Sequence, residues 1–253
     1  MWGKFALVLL ASLPKVLSVS ITDIQGPFFQ SPLKGQAVTN VTGVVVAKVC
    51  ITSLPLILTY LRFVYKGPNG FWISGTPSSD IRVSHGLNVF TTSKTTQAKV
   101  NIGDLISVSG TVSEFKESSD DDNLFGTELD SPKDIVVISS NNTVNPIVLG
   151  KDRSPPTQLM SAFDKGPDGF LSVPNNQTEI NNLVNATLQP NLYGLDFWAS
   201  LEGQLVTVKG PVTSDFDNSF GEIFVYGDWP VTGKNSRGGL TMTFGLLFCP
   251  FTS

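Results

Sequence analysis

The chain has 253 residues, a formal charge of -4 and 15% charged side chains, which is enough for one large or two small domains with cores of their own. With 17 Lys and Arg against 21 Asp and Glu, it has no basic excess to draw the whole surface onto a phosphate backbone. Gly, Pro, Ser, Thr and Asn stand where charges would be, a composition that suits turn-rich β structure and speaks against helical bundles.

Residues 1–20 read as a signal peptide. Lys4 gives a positive start, residues 5–13 form a short apolar run, and the small residues Ser18 and Ser20 offer cleavage points. Lys15 interrupts the segment, so it is too short and too charged to span a bilayer, and no membrane association is expected. Four acceptor patterns for N-glycosylation agree with export: Asn40-Val41-Thr42, Asn141-Asn142-Thr143, Asn176-Gln177-Thr178 and Asn185-Ala186-Thr187. Asn40, Asn141, Asn176 and Asn185 must face solvent if they carry glycans. The expected location is therefore extracellular.

Residues 21–140 carry five strand signals. The runs 41–48, 70–74, 87–92, 105–115 and 134–140 are rich in β-branched and aromatic residues and are separated by Gly, Pro, Asn or Asp. Five strands over this length fit a small antiparallel barrel of the OB type. In 105–115, Ile106, Val108 and Val112 alternate on one face and Phe115 falls on the other. Gly110 inside the run marks a bulge or a sharp coil by which one strand serves two sides of a barrel.

Residues 49–66 break that pattern. They are Leu-rich without alternation and sit where a short connection is needed; removing them joins Ala47-Lys48 to Gly67-Pro68-Asn69-Gly70-Phe71-Trp72, a hairpin of ordinary length. Val49-Cys50 can be encoded by a common intron donor and Leu58-Thr59 permits a branch point, so this segment reads as an unspliced insertion. The unpatterned apolar tail 244–253 reads the same way. Cys50 and Cys249 both lie in these stretches, so a disulfide between them is not expected even in an exported chain.

The second half echoes the first at an offset of about one hundred residues. Leu105-Ile106-Ser107-Val108-Ser109-Gly110-Thr111-Val112 has a near twin in Leu205-Val206-Thr207-Val208-Lys209-Gly210-Pro211-Val212. Lys66-Gly67-Pro68-Asn69-Gly70-Phe71 is echoed by Lys165-Gly166-Pro167-Asp168-Gly169-Phe170, and Asn123-Leu124-Phe125-Gly126-Thr127-Glu128 by Asn218-Ser219-Phe220-Gly221-Glu222. Two related modules follow, 21–140 and 157–243, with 141–156 as linker. A helix is expected over 179–188, with Ile180, Leu183, Val184 and Leu188 on one stripe and Pro190 as its stop. The expected fold class is all-β with one short helix, as two tandem small antiparallel OB-like barrels.

Four stretches together resemble the N-terminal region of secreted nucleases of the endonuclease/exonuclease/phosphatase superfamily. They are 21–26 with 31–36, the Gly70-Phe71-Trp72-Ile73 strand, 100–115, and 197–203 with Ser219-Phe220-Gly221-Glu222-Ile223. The resemblance implies a noncatalytic portion that positions or weakly binds single-stranded nucleic acid for a metal-dependent phosphodiesterase domain. No catalytic residue carries over, because that chemistry needs a Ser-Asp-His-type triplet and more than one histidine, and the chain holds a single one, His85. No cofactor is expected; a divalent metal belongs to the absent domain.

Candidate sites are few. His85 lacks companions for a ligand set, stands before Gly86 and reads as a turn or surface residue. Glu117, Asp120, Asp121 and Asp122 read as a solvated hairpin tip rather than a calcium loop. Phe71, Trp72, Phe90 and Phe115 could stack on bases, with Phe71 and Phe90 weighted toward the core, and Arg82, Lys94 and Lys99 would supply charge. The nucleic-acid candidates are thus Trp72, Arg82, Phe90, Lys94 and Lys99, with no catalytic and no metal-ligating residue. Phe197, Trp198 and Trp229 read as packing. The alternative function is a structural or glycan-binding extracellular β module; the third, an enzyme in its own right, requires nuclease activity from this chain alone.

Overall fold

A computed structural model of the chain describes residues 17–48, 69–116, 124–157, 159, 161–162, 187–213, 225–231 and 233–240. A two-residue strand, β1 (Leu17–Ser18), pairs in parallel with residues 38–39. Next comes a one-turn helix, α1 (Ile21–Gln25). Ser20 starts it with a capping box. Its hydroxyl accepts from the Asp23 N–H at 3.1 Å, and the Asp23 carboxylate accepts from the Ser20 N–H at 3.0 Å. Ile21 and Ile24 project from this turn into the main core.

That core fills a closed barrel of five strands: β2 (Ala37–Lys48), β3 (Phe71–Ser74), β4 (Gly86–Val89), β5 (Leu105–Phe115) and β6 (Gly126–Ser139). The order around it is β2-β3-β4-β6-β5, and β5 pairs back to β2. All neighbours are antiparallel except β4 and β6. Period-two alternation sends Val41 and Val45, Phe71 and Ile73, Leu87 and Val89, and Ile106, Val108 and Val112 inward, all without solvent exposure. Each such side chain contributes roughly 1.5–3 kcal/mol relative to exposure.

The expected strand over 105–115 coincides with β5. A register shift in the β5–β6 ladder falls at Gly110, between Ser109 and Thr111, while β5 pairs with β2 on its other edge up to Thr111. Three strand limits differ from expectation by three residues or more. β2 begins at Ala37 rather than 41, because the ladder runs on through an irregularity between Val38 and Val41 that holds Asn40 at φ 55°. β4 ends at Val89 rather than 92. β6 begins at Gly126 rather than 134; Glu128 and Asp130 hid its first half, and the Val136–Ile138 run within the expected strand is exposed. Lys48 is the register partner of Phe71, so residues 49–68, which lie outside the described residues, leave and return at adjacent positions.

A short helix, α2 (Lys94–Gln97), joins β4 to β5, with the Ser93 hydroxyl accepting from the Thr96 N–H at 3.2 Å. Beyond residue 141 the described residues form smaller pieces. β7 (Ile147–Val148) pairs in parallel with β8 (Val206–Thr207), and β9 (Val212–Thr213) pairs antiparallel with β10 (Val225–Tyr226). The helix α3 (Gly194–Ala199) lies between them in sequence. Leu149, Phe197 and Leu201 make a small core with Ile147, Val208 and Trp229 around it.

Of the helix expected over 179–188, residues 179–186 lie outside the described residues. Leu188 is buried but not helical; its N–H donates to the Pro27 carbonyl at 2.9 Å and its side chain packs with Phe29. Trp198, expected to pack, is 47% exposed with one edge against Phe197. Phe197 and Trp229 do pack. The acidic tip at 117 and 120–122 and both cysteines lie outside the described residues, as does much of the second module, 163–186 and 214–224. No helix among the described residues is long and apolar enough to cross a membrane.

The turn after α3 presses onto the barrel. A Cβ on Gly86 would fall 2.2 Å from the Gly203 carbonyl carbon, so neither backbone could approach so closely with a side chain between. Ser84 Oγ donates to the Glu202 carbonyl at 2.5 Å, and Gln204 Nε2 donates to Ser84 Oγ at 3.1 Å. This seam places a carboxyl group from the second region on the outside of the first.

Candidate functional site

Strand register assembles the site. Trp72 on β3 is the partner of Asn88 on β4, Asn88 of Glu128 on β6, and Glu128 of Ser113 on β5. Because Phe71, Ile73, Leu87, Val89 and Leu129 point into the core, alternation puts this row on the outer face. Phe115 and Gly126, paired with each other, form the next outward row. Glu202 and Gly203 lean over both rows from the turn after α3. A cavity of about 210 Å³ remains between them, lined by Trp72, Asn88, Phe115, Thr127, Glu128 and Glu202 with Gly126 and Gly203 at its edges.

Its polar groups are mostly acceptors. The Thr127 N–H donates to Glu202 Oε1 at 2.5 Å. Glu114, just beneath, accepts at Oε1 from the Ser31 N–H at 2.6 Å and from Thr127 Oγ1 at 2.9 Å, which leaves Oε2 buried without a partner. Asn88 Oδ1 is also buried without a partner. Glu128 is 8% exposed and accepts no hydrogen bond among the described residues. No Lys or Arg lies on the cavity wall.

Three carboxyl groups in a drying seam with no cation on the wall resist ionisation. Burial pushes Glu202 up to about 8 against the pull of the Thr127 N–H, with Glu114 and Glu128 adding repulsion. Burial, then Asp130 and Glu114, push Glu128 up to about 7. Glu114 is raised by burial too, held back by its donors Ser31 and Thr127 and by the nearby Lys34. Perturbed carboxyl groups facing a cleft beside aromatic rings are a functional-site signature. Among the described residues, no three His, Cys, Asp or Glu side chains are placed to hold a metal ion.

The sequence-derived candidates scatter. Trp72 alone of the five lines the cavity. Arg82 pairs with Asp80 at 2.7 Å and faces a separate open groove with residues 187–192. Phe90 is partly buried and its N–H donates to the Leu129 carbonyl; Lys94 on α2 and Lys99 just after it are exposed. His85, expected in a turn or at the surface, stands just before β4 and is partly buried, and its carbonyl accepts from the Gly75 N–H. Burial lowers its pKa. Asn40 and Asn141 are exposed; Asn176 and Asn185 lie outside the described residues. Asn88, Glu114, Glu128 and Glu202 were not singled out from sequence. The available signal was a polar residue at each outward position of otherwise apolar strands, Asn88 within Gly86–Val89 and Glu128 opposite Leu129.

Fold and site together define a β-barrel protein with an acidic, aromatic-walled cavity closed by a segment from its C-terminal half. A family model described as a domain of unknown function (DUF8508) matches residues 148–247. The match takes in α3 and Glu202 and leaves out the barrel. We found no match among curated proteins and none among solved structures.

Proposed function

We propose that the chain is an exported, noncatalytic β module that binds a glycan at the cavity between the barrel and the turn at 202–203. The observation that carries this is the outward row Trp72–Asn88–Glu128, whose indole offers a flat apolar face beside acceptors that suit sugar hydroxyls. In the same reading the barrel is OB-like. Its order β2-β3-β4-β6-β5, closed by β5 on β2 with β4 and β6 parallel, supports that. A second OB-like module rests on the sequence echoes alone. Export draws on residues 1–20 and on the exposure of Asn40 and Asn141. A cut after Ser18 leaves the Ser20 capping box whole, so processed chains should begin at Val19.

The second reading is the accessory portion of a secreted nuclease that holds single strands. Exposed Lys94 on α2 and Lys99 after it favour it; the cavity beside Trp72 weighs against it, because its lining offers no Lys or Arg to a phosphate. One experiment separates the two: titration of the chain by tryptophan fluorescence with a panel of soluble cell-wall oligosaccharides and with single-stranded oligonucleotides. Glycan binding that is insensitive to salt and weakened at least tenfold by Trp72→Ala is expected. Salt-sensitive oligonucleotide binding with no response to any oligosaccharide would overturn the glycan reading in favour of the nuclease one.

A further inference from the structure

The cavity has a surplus of potential negative charge that the hydroxyls of a neutral sugar do not correct. Glu128 is more than nine-tenths buried, opens onto the cavity and has no hydrogen-bond donor among the described residues. Asn88 Oδ1 beside it is a buried acceptor without a donor as well. Glu202 reaches in beside it and has one donor among the described residues, the Thr127 N–H. The remaining walls are the rings of Trp72 and Phe115. Acceptors with too few donors, a surplus of potential negative charge and aromatic faces are what an ammonium group seeks, since it brings three donors, one positive charge and an affinity for aromatic rings.

We propose that the cavity selects a ligand carrying a protonated primary amine, and that within the glycan class this is an amino-sugar unit. Its ammonium group sits between Glu128 and Glu202 and its ring lies on Trp72. The inference rests on the glycan reading above and narrows it. A volume of about 210 Å³ takes one ring rather than a long oligomer, so the selected unit is a single residue of a chain whose remainder lies outside.

Such binding is coupled to protons. Glu202 and Glu128 hold protons near neutral pH, at about 8 and about 7, and the ammonium stabilises their ionised forms. Each carboxyl that ionises on binding releases its proton to solvent. The charged groups around the site are Glu114 from β5, Asp130 from β6 and Lys34 from the turn before β2; His85 from the β4 approach is lowered by burial alone. Affinity therefore rises with pH from about 5 as the carboxyl groups ionise and falls again once the amine itself loses its proton.

The test is calorimetric titration of the intact chain with glucosamine oligomers, their N-acetylated counterparts and unsubstituted glucose oligomers. It is run at three pH values in buffers of different ionisation enthalpy. The expected result is at least tenfold preference for the free amine, with proton release. Glu128→Gln and Glu202→Gln, which keep shape and remove charge, should erase that preference while circular dichroism stays unchanged. Equal binding of amine, acetylated and neutral oligomers, or a preference untouched by both variants, overturns the amine inference and leaves the glycan reading standing. Failure of every oligosaccharide overturns both.

Discussion

Two octapeptides of nearly the same pattern meet different fates in the two halves of the chain. Leu105 to Val112 is continuous strand. Ile106, Val108 and Val112 are wholly buried, and the chain is hydrogen-bonded to β2 on one side and β6 on the other. In Leu205 to Val212, residues 206–207 pair with β7, Gly210 turns to φ 54°, and Val206 and Val212 are exposed. The decisive substitution is Pro211 where the first copy has Thr111. Thr111 has register partners in both Ala37 and Asp130, whereas a proline has no N–H to give to a ladder. Alternating apolar residues make a core strand only where both edges find partners.

The sharpest way to break this contrast is to add one methyl group to each copy. A Cβ on Gly110 would lie 2.7 Å from the Asp130 carbonyl oxygen and 2.7 Å from Leu129 Cγ, inside the closed barrel; Gly110→Ala should cost about 3 kcal/mol in urea unfolding. At Gly210 nothing lies within 4 Å and strain comes from the positive φ alone, so Gly210→Ala should cost about 1 kcal/mol. Equal costs would mean that the two octapeptides sit in equivalent ladders after all.

The same contrast marks what was legible in the sequence. The barrel's core was readable because alternation in 105–115 and in Phe71-Trp72-Ile73 is a local property that burial then amplifies. The first half of β6 was not, because Glu128 and Asp130 lower strand propensity locally while register alone makes them acceptable. The cavity was half legible: Trp72 stood out as an aromatic of ambiguous face. Its partners Asn88, Glu128 and Glu202 come from two strands and a turn more than a hundred residues away, and no spacing rule links them. Arg82, Lys94 and Lys99 looked like a cationic face because the sequence places them near one another. In the structure Arg82 is taken up by Asp80, Lys94 belongs to α2 and Lys99 follows that helix.

Acidity probes the seam where the two halves touch. Glu202 and Glu128, raised to about 8 and about 7, bind protons in the folded chain that the unfolded chain has already released above about pH 4.5. The folded state is therefore favoured by these groups at low pH, and its stability falls as pH rises from about 4.5 through 8. Glu202→Gln keeps an oxygen for the Thr127 N–H and removes the charge, so it should stabilise the chain by roughly 2 kcal/mol at pH 8 and by far less at pH 5. Urea melts at both pH values check this. A variant no more stable at pH 8 than at pH 5 would place Glu202 in water, and the second half would then not be seated on the barrel at Gly86.

A last, smaller effect than that of Glu202→Gln concerns the barrel alone. Lys48 and Phe71 are register partners, so the chain needs to cross only one strand spacing between them, and residues 67–70 suffice for a hairpin loop. If the barrel is complete without residues 49–66, their deletion replaces a long loop by a short one. It should stabilise the fold by about 1.5 kcal/mol through the logarithmic closure term. Trp72, next to the junction, reports the result directly, because its near-ultraviolet signal depends on the packing of the outward row. A deleted chain that melts at the same or higher temperature with that signal intact assigns the barrel's stability to its five ladders. One that fails to fold would make residues 49–66 part of the barrel's core, and the first half would then owe its order to more than its paired edges.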